Sequence, residues 1–377
     1  MKIILIIYII IYIIIKSQEE IEIFMNFGII CEFNPLHRGH KHLIESVKGE
    51  SDGIICAMSG NFVQRGEFAV FDKFERAKSA IDAGADLVIE IPALCSTLSA
   101  QGFAKAGVGI LESTGICDKL AFGAECSDIN ELKRVAQQII ENDNIIKDEL
   151  AKGVSYPKAR QNAVSSPILE GANNILAIEY LNQTSLDCIA IERIGAGHDS
   201  EDALYSSSEI RKHLSLDEIS SLKNCEKAVL YKLRTMSEKD FLEIDDVSEG
   251  LENRIVSAVK TAKSLDELYD LIKTKRYTHS RIRRIILRAY LGITKDMPKN
   301  PQYLRILAFN EKGRNMLSEM KKSAQLPVVT KYSEAKAQGE DIQKLFELES
   351  RFTDIYNLGY LSPRPCEEEK TRKTYII

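Results

Sequence analysis

A chain of 377 residues with 28% charged and 44% hydrophobic side chains has ample material for a sizeable interior and carries no low-complexity tract, which excludes a disordered or fibrous class. Its formal net charge of −5 excludes a global basic field, so any nucleic-acid partner has to be held by a local patch. Eight cysteines (Cys31, Cys56, Cys95, Cys117, Cys126, Cys188, Cys225, Cys366) stand singly with no Cys-x-x-Cys pair, which argues against a zinc site and fits a reduced, cytoplasmic protein.

The chain begins with an apolar run, "IILIIYIIIYIII" from Ile3 to Ile15. It falls short of the about 20 residues a membrane-spanning helix needs, and no small-residue cleavage site follows it. Residues 1–24 are therefore expected to stand outside the fold, with Met25 as the working start and no membrane partner; an export or anchor segment is the alternative.

From Met25, short apolar runs alternate with helical patterns. "FGIICEF", "DGIICAM", "ADLVIEIP", "DKLAFGAE" and "DCIAIERI" predict strands, each bounded by Gly, Asp or Pro. They lack polar alternation, which implies a parallel sheet covered on both faces. The intervening "KFERAKSAIDAGA" and "INELKRVAQQIIEN" carry apolar residues at three- and four-residue spacing and predict crossover helices. The fold class that follows is α/β: a Rossmann-like parallel-sheet domain over residues 25–215, then a mainly helical domain over 216–377. In that second half "QLPVVTKY" is the one stretch expected to extend as a strand.

The first strand runs into "EFNPLHRGHKH", which holds three of the six histidines of the chain. In open parallel sheets, ligands bind beyond the carboxyl ends of the strands, and the first strand-to-helix turn is the commonest phosphate seat. His37 and His40, spaced i and i+3 on the first helical turn, share a side; His42 points elsewhere. Gly39 between them leaves the backbone open to a nucleotide. Two basic side chains at a helix start are disfavoured unless an anion offsets them. Solvated helix-start residues and a metal-binding pair are the competing readings, although helical metal pairs favour i, i+4 spacing with a carboxylate nearby.

Further along, Gly123 ends a strand, where a missing Cβ admits a flat ligand or simply makes a turn. Asn173 in "GANN" offers a donor and an acceptor, or a helix cap. Arg193 at the end of the fifth strand suits a bidentate phosphate clamp. "SSSEIR" presents hydroxyls with Arg211 beside Ser208, and Ser206 before Glu209 fits a capping box. Gln64 and Arg65, between Gly60 and Gly66, lie at the ligand edge of the sheet and suit a small carboxylate or a leaving pyrophosphate. "KTKRYTHSRIRRIILR" holds Lys275, Arg276, Arg281, Arg284 and Arg288 with no acidic residue. On a helix Arg281, Arg284 and Arg288 share one face and suit successive phosphates of a nucleic acid, with Tyr277 or His279 placed to stack on a base; a solvated face is the alternative.

"NPLHRGH" matches the His-x-Gly-His signature of the nucleotidyltransferase superfamily. With "MSGNFVQRGEFAV", "AFGAE", "NNILAIEY", "SSSEIR", "YTHSRIRR" and "LAFNEKGR" in this order, the chain resembles the bacterial tRNA(Met) cytidine acetate ligase family from about Met25 to the C-terminal region. The resemblance implies an ATP-dependent ligase that forms acetyl-adenylate and transfers acetyl to the wobble cytidine of elongator tRNA(Met). It implies ATP contacts from Ile29, Ile30, Cys31, Glu32, Phe33, Asn34, Pro35, Leu36, His37, Arg38, Gly39, His40, Lys41 and His42, and from Gly123, Asn173 and Arg193, with His37 and His40 catalytic. Ala172 stands where the family often has proline, a departure next to Asn173. A Mg²⁺ ion is expected to arrive with the nucleotide, and no carboxylate cluster marks a site for it. The competing functions are a nucleotidyltransferase acting on a small metabolite, which has no need of the basic helical half, and an RNA-binding protein with a degenerate active site.

Overall fold

The computed structural model describes residues 25–49, 53–194, 206–215, 217–248 and 250–377. The apolar leader lies outside the described residues. Among those described, no helix is long and apolar enough to cross a membrane.

The five runs read as strands form β1 (Asn26–Cys31), β2 (Gly53–Ser59), β5 (Leu87–Ile91), β6 (Lys119–Ala124) and β7 (Asp187–Glu192). A two-stranded hairpin, β3 (Phe62–Val63) and β4 (Glu67–Phe68), follows β2. Pairing among the five is parallel, and they lie in the order β5-β2-β1-β6-β7, so the chain reverses direction across the sheet at β1. β2 and β5 are buried at every residue, as expected for strands covered on both faces. The stretch "RGHKHLIESV" between β1 and β2 forms helix α1 (Arg38–Val47), and the "KFERAKSAID" stretch forms α2 (Lys73–Asp82), capped by the Asp72 carboxylate. On the opposite face lies α3 (Ala100–Ser113), whose Gly107 packs so closely on Ile30 of β1 that a Cβ would sit 2.7 Å from the Ile30 side chain.

The second half is mainly helical, as expected, but it adds two strands beyond the one expected extended stretch. "LRILAF" forms β8 (Leu304–Phe309), buried along its length and antiparallel to β5. "VV" of the expected stretch forms β9 (Val328–Val329) on β8, and β10 (Tyr375–Ile376) closes that edge. The sheet therefore has eight strands and is mixed, and residues beyond 300 complete it. The physical reason is in the apolar faces. β8 pairs along the edge of β5, and α2 packs across β5, β8 and β10 together, so the edge of β5 is not left free. Asp86 joins the halves, accepting from the Ile54 amide at 2.9 Å and from the Asn310 side chain at 2.8 Å. Of the helical segments between residues 220 and 295, the one over His279–Leu291 carries most of the basic stretch.

Candidate functional site

Five further helices frame the carboxyl edge of the sheet: α4 (Tyr156–Val164), α5 (Ala172–Leu181), α6 (Ser207–His213), α7 (His279–Leu291) and, behind them, α8 (Glu340–Asn357). Together with β1, β3, β4 and β6 the first four line one cleft of about 940 Å³.

At the end of β1 the chain turns through Phe33, which holds a φ of +45°, and a cis Asn34–Pro35 bond into α1. His37 is the N-cap of α1. Its Nδ1 accepts from the Gly39 amide at 3.0 Å, and its carbonyl accepts from the His40 and Lys41 amides, both at 3.0 Å. A ring nitrogen that accepts carries no proton, so Nε2 is the donor of the neutral His37 ring. The two imidazoles stack, centroids 3.7 Å apart and planes at 24°, with Phe33 edge-on to His40 at 5.0 Å. Burial, then the charge of Arg193, drives the His37 pKa down to about 4. Burial, then His37 and Arg193, pushes His40 well below its ordinary value. His40 Nδ1 is buried with no hydrogen-bond partner, and the first turn of α1 has no acidic residue. Two neutral, converging rings at a helix start, with Arg193 close by, make a seat for an anion.

Helix α6 is latched onto this turn. The Ser207 hydroxyl donates to the Pro35 carbonyl at 3.0 Å; Arg211 donates to the Asn34 carbonyl at 2.7 Å and to the Ser208 hydroxyl at 3.2 Å. Ser206 caps α6 by accepting from the Glu209 amide, whereas the Glu209 carboxylate turns to Lys212, so only half of the capping box forms.

Glu32 lies on the cleft wall between this turn and the hairpin, its carboxylate accepting from the Gln64 amide at 2.6 Å. Burial raises its pKa, against that bond and the charges of Arg76, Arg65 and Arg211. Arg76, fully buried, donates to the carbonyls of Glu32, Ser59 and Gly60 and so ties the ends of β1 and β2 together. The hairpin tip carries Gln64 and Arg65 into the cleft and rests on α7. Gly66 has φ +78°, and a Cβ there would lie 2.4 Å from the Arg284 amide. Glu67 pairs with Arg283 beside it.

Gly123, in β6, faces open space: a Cβ would meet only the Arg193 Cγ, at 3.5 Å. The Arg193 amide donates to the Ala124 carbonyl at 3.1 Å, which fixes its start beside that strand end. Asn173 is on the first turn of α5 rather than its cap. Its side chain donates to Glu125 at 2.6 Å, and the same carboxylate accepts from the amides of Asn173 and Asn174.

The cleft thus unites Ile30, Cys31, Glu32, Phe33, Asn34, His37, Gly39, His40, Gln64, Arg65, Gly123, Asn173, Arg193, Ser208 and Arg211. Six of the residues expected at the nucleotide lie outside its lining. Ile29 is sealed in the core beneath α1 and α2, Pro35 and Leu36 sit behind the turn, and Arg38, Lys41 and His42 follow the outer faces of α1, Lys41 beside Glu45 at 3.6 Å. A contiguous stretch that passes from strand to helix cannot aim every side chain at one ligand.

The basic stretch divides as well. Arg276, Arg281 and Arg284 line the cleft and Lys275 is exposed. Arg281 donates to the Asp246 carbonyl at 3.0 and 2.6 Å. Arg284 is buried, 3.4 Å from the Asp246 carboxylate. Arg288, 2% exposed, binds the Leu94 carbonyl, the Thr97 hydroxyl and, at 2.7 Å, the Asp245 carboxylate. The expected three-arginine stripe for phosphates is therefore corrected: Arg288 cements α7 to the residues before α3, because a buried guanidinium needs fixed acceptors. Tyr277 is buried too, under the Arg281 guanidinium, and only His279 of the two expected stacking residues is exposed. Missing from the sequence reading were Tyr156, Arg160 and Glu179, which line the cleft from α4 and α5. Arg160 and Glu179 are 19 residues apart and pair only once the helices pack, so no local signal marks them.

Residues 25–372 match the family model of the HIGH nucleotidyl transferases. The chain is 36% identical to the tRNA(Met) cytidine acetate ligase of Acetivibrio thermocellus, covering 93% of this chain and 99% of that one. It is 37% identical to that of Clostridium perfringens, covering 93% and 98%. Among solved structures, Thermotoga maritima TmcAL bound with alpha-thio ATP is similar with a TM-score of 0.84 at 30% identity, covering 94% of this chain and 99% of that one.

Proposed function

Since the chain belongs to the HIGH nucleotidyltransferases and, among them, to the tRNA(Met) cytidine acetate ligases, we propose that it uses ATP to join acetate to the wobble cytidine of elongator tRNA(Met). An acetate oxygen attacks the α-phosphorus of ATP and pyrophosphate leaves. The exocyclic amine of the cytidine then attacks the acetyl carbon and AMP leaves, giving N-acetylcytidine. Chemistry of this kind is carried by positioning and by stabilising charge on the phosphoryl oxygens.

His37 and His40, with Ser208 and Arg211 of the adjoining α6, hold the triphosphate. Arg193 joins them near the α-phosphate, and Gly123 and Asn173 bound the nucleoside. Gln64 and Arg65, fixed by Glu32, orient acetate or the departing pyrophosphate. Lys275, Arg276 and Arg281 meet the tRNA backbone, with Arg284 behind them. Among the described residues no group of three or more His, Cys, Asp or Glu side chains could hold a metal ion; a Mg²⁺ ion arriving with the nucleotide would neutralise charge on its phosphates. Reactants of this kind belong to the cytoplasm.

The observation that carries the proposal is that arginines of the helical half open onto the same cleft as the stacked histidines, where a small-metabolite transferase would have no use for them. Incubating the purified protein with ATP, labelled acetate and elongator tRNA(Met) tests it. Label in the wobble cytidine is expected; label in a small acceptor with none in tRNA favours the metabolite reading.

A further inference from the structure

One wall of the cleft takes no part in the chemistry above. It is made by Tyr156 and Arg160 of α4 and Glu179 of α5. Arg160 and Glu179 are each 4% exposed and pair at 2.7 Å through Nη1. Nε and Nη2 of Arg160 are buried without a hydrogen-bond partner. Tyr156 is 45% exposed, with the guanidinium 5.4 Å from its ring.

The buried arginines that tie elements together elsewhere in the fold, Arg284, Arg288 and Arg305, each leave one nitrogen unmatched; Arg160 leaves two, and an unmatched buried N–H is costly. Two unmatched donors lining a cleft define what is missing. A second anion such as acetate is disfavoured, because Glu179 already neutralises the guanidinium and would repel it. The complement is a neutral group with two adjacent acceptors for Nε and Nη2 and a donor for the Glu179 carboxylate. Cytosine has that edge: O2 and N3 accept and the N4 amine donates. Adenine presents one ring acceptor beside its amine on either edge and would leave one nitrogen unmatched. Uracil reverses the order, meeting the arginine with N3–H and the carboxylate with O4. Enzymes that modify a base read it in this way after swinging it out of its stack, and a splayed-out base rests on an aromatic ring.

We propose that Tyr156, Arg160 and Glu179 form the receptor for the flipped-out wobble cytosine, Tyr156 stacking on its face while the Arg160–Glu179 pair reads its Watson–Crick edge. This rests on the reading that the chain acetylates tRNA. It makes the three residues specificity determinants of the transfer step, separate from the activation of acetate.

The test uses the full-length protein and two readouts: acetate-dependent exchange of labelled pyrophosphate into ATP without tRNA, and acetylation of elongator tRNA(Met). For Arg160→Met, exchange and the KM for ATP stay within about twofold of wild type while kcat/KM for tRNA falls about 100-fold, the scale of a lost bidentate contact. Tyr156→Leu, a change at the exposed rim, lowers transfer about tenfold through lost stacking. Glu179→Gln keeps the shape of the pocket, and its amide can donate to O4; a tRNA carrying uridine at the wobble position therefore inhibits it about tenfold better than it inhibits wild type. Transfer at the wild-type rate in the Arg160 and Tyr156 variants, unchanged inhibition by the uridine tRNA, or a rise in the KM for ATP parallel to the transfer loss would overturn the assignment, the last by making this wall the adenine seat. A wild-type protein that activates acetate yet leaves tRNA unmodified overturns the parent reading instead.

Discussion

His37 and His40 lie three residues apart at the start of α1; Arg284 and Arg288 lie four apart within α7. The histidine rings converge, stacked at 3.7 Å on the wall of the cleft. The arginines part company: Arg284 keeps an edge on the cleft, while Arg288 is drawn into the interior by Asp245, Thr97 and the Leu94 carbonyl. The difference lies in who decides. The histidines are placed by their own turn, through the Nδ1 bond to Gly39 two residues on. The Arg288 side chain is placed by groups 43 to 194 residues away, which its helix meets only in the folded chain.

The sharpest break of this comparison is to remove the histidines. His37→Ala and His40→Ala should each lower acetate-dependent pyrophosphate exchange by about 10²–10³, the scale of a lost oxyanion donor; His37→Ala also removes the cap of α1, at a cost of about 1 kcal/mol. Arg288→Met should do the reverse, costing about 3 kcal/mol in urea unfolding because it strips a buried carboxylate of its partner, with exchange preserved in the fraction that folds. Arg281→Ala, at the cleft mouth, should change stability by less than about 0.5 kcal/mol and yet reduce the salt dependence of tRNA binding by roughly one unit of slope. Gly123→Ala is milder still. The new methyl meets only Arg193 at 3.5 Å, so Tm should hold while the KM for ATP rises several-fold.

A further effect is in pH. The folded state holds His37 at about 4, below the ordinary 6.5. Above 6.5 folded and unfolded chains both carry a neutral ring. Between 6.5 and about 4 the unfolded chain takes up a proton that the folded one refuses, so stability falls as pH falls. His37→Asn should flatten that decline in a Tm series.

The same division between local and remote causes decides what the sequence discloses. The five parallel strands were legible because each is a short apolar run closed by Gly, Asp or Pro, and "NPLHRGH" was legible because its geometry is set within six residues. "LRILAF" was passed over, an isolated apolar run amid helical periodicity whose strand form depends on meeting the edge of β5. Its return to the sheet also means that the boundary expected at residue 215 does not free the sheet from the second half. Arg160 and Glu179 were illegible for the reason that governs Arg288: their partners come from elsewhere in the chain. Ile29 and Lys41 show the converse limit: within one motif, strand and helix turn alternate side chains away from the cleft.

The central claim is that the stacked imidazoles at the mouth of α1 grip a triphosphate. A crystal structure of this chain soaked with alpha-thio ATP tests it most directly. Phosphate oxygens within hydrogen-bond reach of both His37 and His40, with Arg211 or Ser208 also in contact, are the expected result. Phosphates bound elsewhere, with the two rings still stacked on each other and untouched, would contradict it.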